Sequence, residues 1–215
     1  MTYDPDKHHR RSIHLRGYDY TQAGAYYVTV CAQNRECLFG TVVDGDIRLN
    51  HAGRMVLAEW DALPDRFPTV ELDAFVVMPN HVHGIIVLST DDMVMVRAGL
   101  VPALVPALVP APMAATRAAP TSTTRVGTRP APTVGDIMGA FKSLTTVLYT
   151  RGVKQSGWPP FRGRLWQRNY YEHIVRNDES LNRIRQYIAD NPARWAFDYE
   201  NPEAARQELQ EVWTR

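Results

Sequence analysis

Cysteines, long apolar runs and net charge are all scarce in this sequence. Cys31 and Cys37 are the only cysteines among 215 residues, and their spacing matches no recognised zinc site. Two isolated thiols are typical of a reduced, cytoplasmic protein. No run of eighteen or more apolar residues occurs, so we expect no transmembrane helix. Residues 1–11 are polar and lack the apolar stretch of a secretory signal.

The net charge of +1 conceals an uneven distribution of basic residues. No acidic residue lies between Asp136 and Glu172, although that segment is rich in lysine and arginine. A basic run is usually a solvated face, but this one also contains aromatic side chains, which can stack on bases while cations follow a phosphate backbone. Both interpretations stay open at this point. The residues concerned are Lys142, Arg151, Lys154, Arg162, Arg164 and Arg168, with Trp158, Phe161, Trp166, Tyr170 and Tyr171.

Hydrophobic periodicity predicts alternating strands and helices. The turn Asp44-Gly45 indicates a β-hairpin, Pro64 is expected to close a helix, and Asn177 or Asp178 can cap another. The order of these elements predicts an α+β domain, an antiparallel sheet with helices packed on one face. The expected strands are residues 25–31, 38–43, 46–49, 71–78 and 82–88, and the expected helices are residues 51–63, 134–150, 179–190 and 202–212.

A proline- and alanine-rich stretch divides the sequence. Residues 91–132 include a near-repeat with proline at every fourth position from Pro102 to Pro110, which is incompatible with a regular helix or central strand. We interpret it as a disordered insertion. The predicted organisation is therefore a basic N-terminal segment, one folded domain interrupted by the insertion, and a C-terminal helical tail. Their ranges are 1–20, 21–90 with 133–197, and 198–215.

His81 and His83 form the first candidate chemical feature. They lie two residues apart in a segment with strand character, and alternate side chains of a strand point to the same face. Both imidazoles can therefore reach one divalent cation, while Val82 faces the opposite side. A His-x-His pair alone is more often a core or surface accident than a metal site.

Tyr187 and Asn191 form the second feature. Their spacing of four places them one turn apart on the same face of a predicted helix. Asn191 can present an amide oxygen to a metal beside Tyr187, whose phenol becomes a better nucleophile near a cation. The alternative is purely structural: a packed tyrosine ring, and an asparagine that ends the helix before Pro192.

Several motifs in one order resemble the single-tyrosine HUH transposases, particularly the REP-associated tyrosine transposases and related insertion-sequence transposases. The resemblance covers about residues 10–90 and 133–197. The motifs are Met-Pro-Asn-His-Val-His-Gly at 78–84, Trp-Gln-Arg-Asn-Tyr-Tyr-Glu-His at 166–173 and Tyr-Ile-Ala-Asp-Asn-Pro at 187–192, with weaker similarity at 10–20, 26–31 and 139–143.

The resemblance implies a ferredoxin-like or RRM-like sheet and a definite set of roles. His81, His83 and Asn191 would bind Mg²⁺ or Mn²⁺, and Tyr187 would attack single-stranded DNA beside a hairpin to give a covalent 5′-phosphotyrosine. Asn191 stands where many relatives carry glutamine. A homodimer is compatible with the family, and no membrane partner is expected. The expected DNA-contacting residues are Lys142, Arg162, Arg164, Trp166, Arg168, Tyr170 and Arg176.

Alternatives remain at this stage. Tyr170 and Tyr171 are rival nucleophiles because a tyrosine pair occurs in two-tyrosine HUH enzymes, and His173 is an alternative DNA contact or structural residue. The chain could also be a domesticated, non-cleaving protein that binds repetitive palindromic DNA. A metal hydrolase acting on a small molecule is disfavoured, because no cluster of acidic ligands lies beside the histidines in the sequence.

Overall fold

The computed structural model describes residues 19–89 and 131–204 of the chain. Its strands are β1 Gly24–Cys31, β2 Gly40–Val43, β3 Asp46–Leu49, β4 Val70–Val77, β5 His81–Leu88 and β6 Tyr171–Val175. Its α-helices are α1 His51–Asp61, α2 Leu63–Arg66, α3 Val134–Ser156 and α4 Asp178–Asp190, and two 3-10 helices span Gln33–Arg35 and Pro192–Phe197.

The main sheet has four antiparallel strands in the order β4-β5-β1-β6. Strands β2 and β3 form a separate hairpin across the predicted Asp44-Gly45 turn. With this hairpin set aside, the elements follow the β-α-β-β-α-β order of a ferredoxin-like domain. The predicted α+β class with an antiparallel sheet is therefore confirmed.

Alternation along β1 separates two apolar clusters on opposite faces of the sheet. Tyr26 and Val28 belong to the larger cluster, which includes residues of α1 and α3. Tyr27 belongs to the smaller one, where it meets Ile184 and Ile188 of α4. The expectation of helices on one face thus describes α1 and α3, whereas α4 covers the other face because its own apolar stripe packs there.

Side-chain caps define where the helices begin. Asn50 accepts a hydrogen bond from the Gly53 amide at the start of α1, at 2.9 Å. Thr133 and Asp136 form a reciprocal capping box at the start of α3. Asn177 caps α4, and it is one of the two residues, Asn177 or Asp178, that the sequence offered for this cap. These local bonds explain why the starts of the helices were predicted closely.

The largest differences from the sequence prediction are one missed strand and the ends of two helices. Strand β6 was not predicted, because it forms by pairing with β1 inside a segment with little apolar alternation. Helix α1 ends at Asp61, and Pro64 lies within the short helix α2 instead of closing α1. Helix α3 extends to Ser156, where Gly157 adopts the left-handed conformation common at helix ends.

Parts of the predicted organisation lie outside the described residues. These are most of the basic N-terminal segment, nearly all of the proline-rich insertion and the C-terminal part of the predicted tail helix. Within residues 201–204, where this predicted helix begins, the chain forms a turn at 202–203 and no helix. Within residues 19–89 and 131–204, no helix is both long enough and apolar enough to cross a bilayer.

Gly84, the last residue of the 78–84 motif, allows α1 to pack closely against β5. A Cβ at this position would overlap the Trp60 indole and lie 2.9 Å from Cδ2 of Phe75. We therefore expect Gly84→Ala to destabilise the fold by about 1–3 kcal/mol, the usual cost of overpacking a core. Thermal unfolding measures this loss.

Gly139→Ala is the matched control for Gly84→Ala. Gly139 lies in α3, and a Cβ built there has no neighbour within 4 Å. Because alanine favours a helix over glycine by up to about 1 kcal/mol, this variant should raise the melting temperature. Equal melting temperatures for Gly84→Ala and the wild type would show that the Trp60 packing tolerates the extra methyl group.

Candidate metal centre and nucleophile

His81 and His83 begin strand β5 and point toward the face covered by α4. Their Nε2 atoms are 2.9 Å apart, and both side chains are buried. Val82 between them is buried in the opposite cluster. Strand alternation therefore places the two imidazoles as predicted, with one ring nitrogen of each directed at a common point.

The second ring nitrogen of each histidine has a polar partner. Nδ1 of His81 lies 2.8 Å from Oδ1 of Asn80, which can only accept, so the histidine must donate. Neutral His81 consequently carries its lone pair on Nε2. Nδ1 of His83 lies 2.7 Å from the Tyr27 hydroxyl and 2.8 Å from the Thr29 hydroxyl. Partners of this kind orient metal-binding histidines.

Burial keeps both imidazoles uncharged at neutral pH. Burial, together with a smaller contribution from the nearby Arg35 guanidinium, lowers the pKa of His81 to about 3. Burial also lowers the pKa of His83, and the proximity of His81 lowers it by a smaller amount. A neutral imidazole is the form that binds a metal ion. Two nitrogen lone pairs at this separation repel, unless a proton or a cation lies between them.

Tyr187 on α4 meets the histidines within one chain. Its ring centroid lies 5.3 Å from that of His83 and 6.3 Å from that of Tyr27. The pKa of Tyr187 is raised to about 12, mainly by burial and also by the negative charge of Asp198. Hydrogen bonds from Asn191 and Tyr27 partly offset this rise. The phenol is therefore protonated at neutral pH.

Asn191 ends α4 beside Tyr187 and is buried. Its side chain makes a hydrogen bond that lowers the pKa of Tyr187. Its Oδ1 atom is buried without a hydrogen-bond partner among the described residues. An orphaned buried oxygen is costly and calls for an explanation. A bound cation is one explanation, so the role of Asn191 as a ligand stays a prediction.

Asp198 supplies an acidic group that the sequence reasoning missed. Its Oδ2 lies 3.8 Å from Nε2 of His81, and its side chain is largely buried. Ligand atoms of Asp198, His81 and His83 lie within 4.8 Å of one another, a grouping that can hold a metal ion. The sequence prediction assigned Asp198 to the C-terminal tail. No local spacing links it to the histidines, which only the fold brings together.

The chain after Asp198 is attached to the sheet by Arg35 and Asn80. Arg35 pairs with Glu200 at 2.9 Å and stacks over the Tyr199 ring at 4.6 Å. Nδ2 of Asn80 donates to the carbonyls of both Arg35 and Glu200. Asn80 thus binds His81 through its side-chain oxygen and the Asp198–Glu200 segment through its side-chain nitrogen. These bonds give the asparagine of the 78–84 motif a structural role.

Two predicted DNA contacts are engaged in the fold. Trp166 was predicted to contact DNA, but the residue is only 3% exposed because its ring packs against Phe39 and Phe141, so the ring is not accessible for stacking on a base in this structure. Lys142 is half-buried, and its ammonium donates to the carbonyls of Gln167 and Arg168.

The other predicted DNA contacts divide by exposure. Tyr170 is half-buried against the larger cluster. The neighbouring Tyr171 is 40% exposed, and strand alternation places it on the histidine face, where its ring meets Tyr27 edge-on at 6.2 Å. His173 pairs with Tyr27 on the same face. The arginines at 162, 164, 168 and 176 are exposed.

These positions also separate the rival nucleophiles. Tyr170 belongs to the opposite cluster, whereas Tyr171 lies next to the site without a contact to His83 like that of Tyr187. The geometry therefore favours Tyr187 and leaves Tyr171 as the alternative for an experiment to exclude.

Comparison with solved structures yields low similarity. A REP-associated tyrosine transposase bound to a REP hairpin has a TM-score of 0.49 and 17% identity, covering 86% of this chain and 75% of that one. A candidate transposase from Deinococcus radiodurans has a TM-score of 0.35 and 20% identity, covering 82% and 95%. Neither value supports an assignment of activity.

Comparison at the level of sequence is more informative about kinship. No protein-family model matches the chain. An uncharacterized protein of Haemophilus influenzae is 36% identical over 199 residues, which cover 91% of this chain and 95% of that protein. Similarity of this extent spans the sheet, the histidine pair and α4 alike. The chain therefore belongs to one protein family with this Haemophilus influenzae protein.

Proposed function

We propose that this protein is a single-tyrosine HUH transposase, which cuts and rejoins single-stranded DNA with Tyr187 as nucleophile. The observation that carries the proposal is the meeting of two neutral, converging histidine Nε2 atoms with the half-buried Tyr187, whose ring centroid is only 5.3 Å from that of His83. If the histidine pair had only a structural role, there would be no reason for the Tyr187–Asn191 pair of α4 to lie beside it.

The donor set fits a divalent cation. His81 and His83 would hold Mg²⁺ or Mn²⁺ through Nε2, with Asp198 or the orphaned oxygen of Asn191 as the third ligand. Such an ion supplies positive charge that stabilises a phosphate under attack. Nitrogen and carboxylate donors together suit Mn²⁺ and, with more water ligands, Mg²⁺.

The proposed chemical step uses Tyr187 with the polarity that the resemblance to HUH transposases implies. Its oxygen forms a bond to phosphorus while the bond from phosphorus to the 3′ oxygen breaks, leaving a 5′-phosphotyrosine and a free 3′-hydroxyl. The phenol proton passes to water, and water returns a proton to the 3′ oxygen. One phosphodiester replaces another, so a second 3′-hydroxyl can reverse the step without an external energy source.

Exposed side chains beside the site support a single-stranded substrate. Arg168 and Arg176 lie on either side of β6, and Tyr171 on that edge strand is exposed on the histidine face. Arginine side chains neutralise phosphates, and an exposed tyrosine ring can stack on an unpaired base. Arg162 and Arg164 extend the basic surface, which we propose receives the DNA hairpin.

The site does not require a residue from a second copy of the chain. His83 and Tyr187 are already in ring contact within one molecule. We therefore propose cleavage in cis, and a homodimer is compatible with the proposal but is not needed for it. Single-turnover cleavage that is independent of protein concentration would support a site completed in cis.

A strand-specific labelling assay tests the function. The full chain is incubated with DNA hairpins that carry single-stranded flanks, labelled at either the 3′ or the 5′ end, with Mn²⁺ or with EDTA. We expect the 3′ label to migrate with the denatured protein and the 5′ label to stay on a free fragment. EDTA should abolish both products. Metal-independent binding without cleavage across many hairpins would instead favour the non-cleaving DNA-binding alternative.

A further inference from the structure

The hydroxyl group of Tyr27 lies between the metal-binding and nucleophilic halves of the site. It is 2.7 Å from Nδ1 of His83, receives a hydrogen bond from Thr29 at 3.1 Å, and makes a hydrogen bond with Tyr187. Tyr27 itself is only 2% exposed, in the centre of β1. None of the motifs in the sequence singled out its hydroxyl.

The number of hydrogens available in this group determines which atoms donate and which accept when a cation is bound. A cation on Nε2 of His83 requires the imidazole hydrogen to be on Nδ1, where the oxygens of Tyr27 and Thr29 lie at 2.7 and 2.8 Å to accept it. The Thr29 hydroxyl donates to Tyr27. The single hydroxyl hydrogen of Tyr27 is then directed to the oxygen of Tyr187.

Without a cation, the same groups can be arranged differently. Nε2 of His83 can carry the hydrogen and donate to Nε2 of His81, which is 2.9 Å away. Nδ1 of His83 then accepts a hydrogen bond, and the Tyr27 hydroxyl is a donor at the right distance. The Tyr27 hydrogen therefore has two acceptors, Nδ1 of His83 and the oxygen of Tyr187, and the tautomer of His83 selects between them.

We propose that Tyr27 is a positioning residue that couples metal binding at His83 to the orientation of the Tyr187 oxygen, with Thr29 as the second acceptor for His83. The part concerning Tyr187 rests on the proposed function, whereas the part concerning His83 does not. When the cation binds, His83 stops accepting from Tyr27, and the Tyr27 hydroxyl turns to the nucleophile.

Variants that keep the carbon framework isolate the hydroxyl groups. Tyr27→Phe retains the ring that stacks on His83 at 5.6 Å between centroids, and Thr29→Val retains the branched shape. Tyr26→Phe is the matched control, because its hydroxyl donates to the Gln22 carbonyl and its ring belongs to the opposite cluster. Thermal unfolding of each metal-free variant establishes that the fold is retained.

Mn²⁺ affinity and single-turnover DNA cleavage at saturating Mn²⁺ are measured separately for each variant. Loss of a partner that orients a metal-binding histidine typically weakens affinity about 10- to 100-fold. We expect Mn²⁺ binding to be about 10-fold weaker in Tyr27→Phe and in Thr29→Val. The variant that combines the two substitutions should lose more affinity, and Tyr26→Phe should bind like the wild type. At saturating Mn²⁺, Tyr27→Phe should cut at least about 10-fold more slowly, while Thr29→Val should stay within about threefold of the wild type.

The two readouts separate this proposal from the proposed function. If Tyr27→Phe binds Mn²⁺ and cuts DNA within about threefold of the wild type, like Tyr26→Phe, the coupling is wrong. If Thr29→Val slows cleavage as strongly as Tyr27→Phe at saturating Mn²⁺, the hydroxyl of Tyr27 has no special relation to Tyr187, which also contradicts it. If the wild type cuts no DNA, the proposed function fails, and the Mn²⁺ affinities of the same variants still decide the part concerning His83.

Discussion

Replacing Tyr187 with phenylalanine should eliminate the covalent protein–DNA adduct. The substitution keeps the ring contacts with His83 and Tyr27 and removes only the oxygen that attacks phosphorus. Removal of a catalytic nucleophile typically lowers the rate on the order of 10⁴- to 10⁶-fold. Denaturing gel analysis with 3′-labelled hairpin DNA measures the adduct directly.

Retained DNA binding would distinguish lost chemistry from lost folding in this variant. The exposed arginines of the proposed DNA surface are unchanged, so hairpin affinity should stay close to that of the wild type. Mn²⁺ affinity should also persist, because the two histidines and Asp198 are untouched.

Tyr171→Phe and Tyr170→Phe are the controls for the position of the nucleophile. Tyr171 lies on the same face and contacts Tyr27, so its variant alters the surroundings of the site without removing the Tyr187 oxygen. Both controls should still form the adduct. An adduct formed by Tyr187→Phe but absent from Tyr171→Phe would show that Tyr171 is the nucleophile.

The features of the site that sequence could predict are those determined by local periodicity. Strand alternation placed His81 and His83 on one face, and helical spacing placed Tyr187 and Asn191 on one side of α4. Both geometries depend on a few adjacent residues. The structure adds that the histidine pair and the Tyr187–Asn191 pair meet within one chain. Neither strand alternation nor helical spacing could predict this.

The features that sequence could not predict depend on distant packing. Asp198 approaches His81 only because the chain turns back after α4 and Arg35 pairs with Glu200. Strand β6 exists through its ladder with β1, and its own sequence has little strand-like alternation. Trp166 was assigned to a DNA surface by its basic neighbours, yet its indole donates to Thr145 inside the core.

The position of α4 was also beyond the reach of local sequence. Its apolar stripe predicted burial but not which face of the sheet it covers. Ile184 and Ile188 pack on the cluster containing Tyr27, and Arg185 makes a bidentate ion pair with Asp73 of β4, at 2.8 Å for its Nε atom. This attachment holds Tyr187 above the histidines, so the fold determines the distance on which the proposed chemistry depends.

Substitution of either proposed metal ligand, His81 or His83, should remove tight Mn²⁺ binding. Loss of a ligand should exceed the roughly 10- to 100-fold effect of losing a residue that only orients one. His83→Ala and His81→Ala are therefore expected to bind Mn²⁺ at least about 100-fold more weakly and to form no adduct. A ligand at about 100 times its dissociation constant stabilises a fold by about 2.7 kcal/mol, so Mn²⁺ should raise the melting temperature of the wild type and not of these variants.

The same measurement identifies the third ligand. Asp198→Asn keeps the size of the side chain and removes the charge 3.8 Å from His81, whereas Asn191→Leu removes the orphaned oxygen and the hydrogen bond to Tyr187. If Asp198 is the ligand, Asp198→Asn loses most of the Mn²⁺-induced stabilisation, while Asn191→Leu retains it and cuts slowly. The reverse pattern would assign the ligand to Asn191. Mn²⁺-induced stabilisation that is retained in both histidine variants would contradict the metal centre itself, because no other histidine- or acid-based group of ligands meets there among residues 19–89 and 131–204.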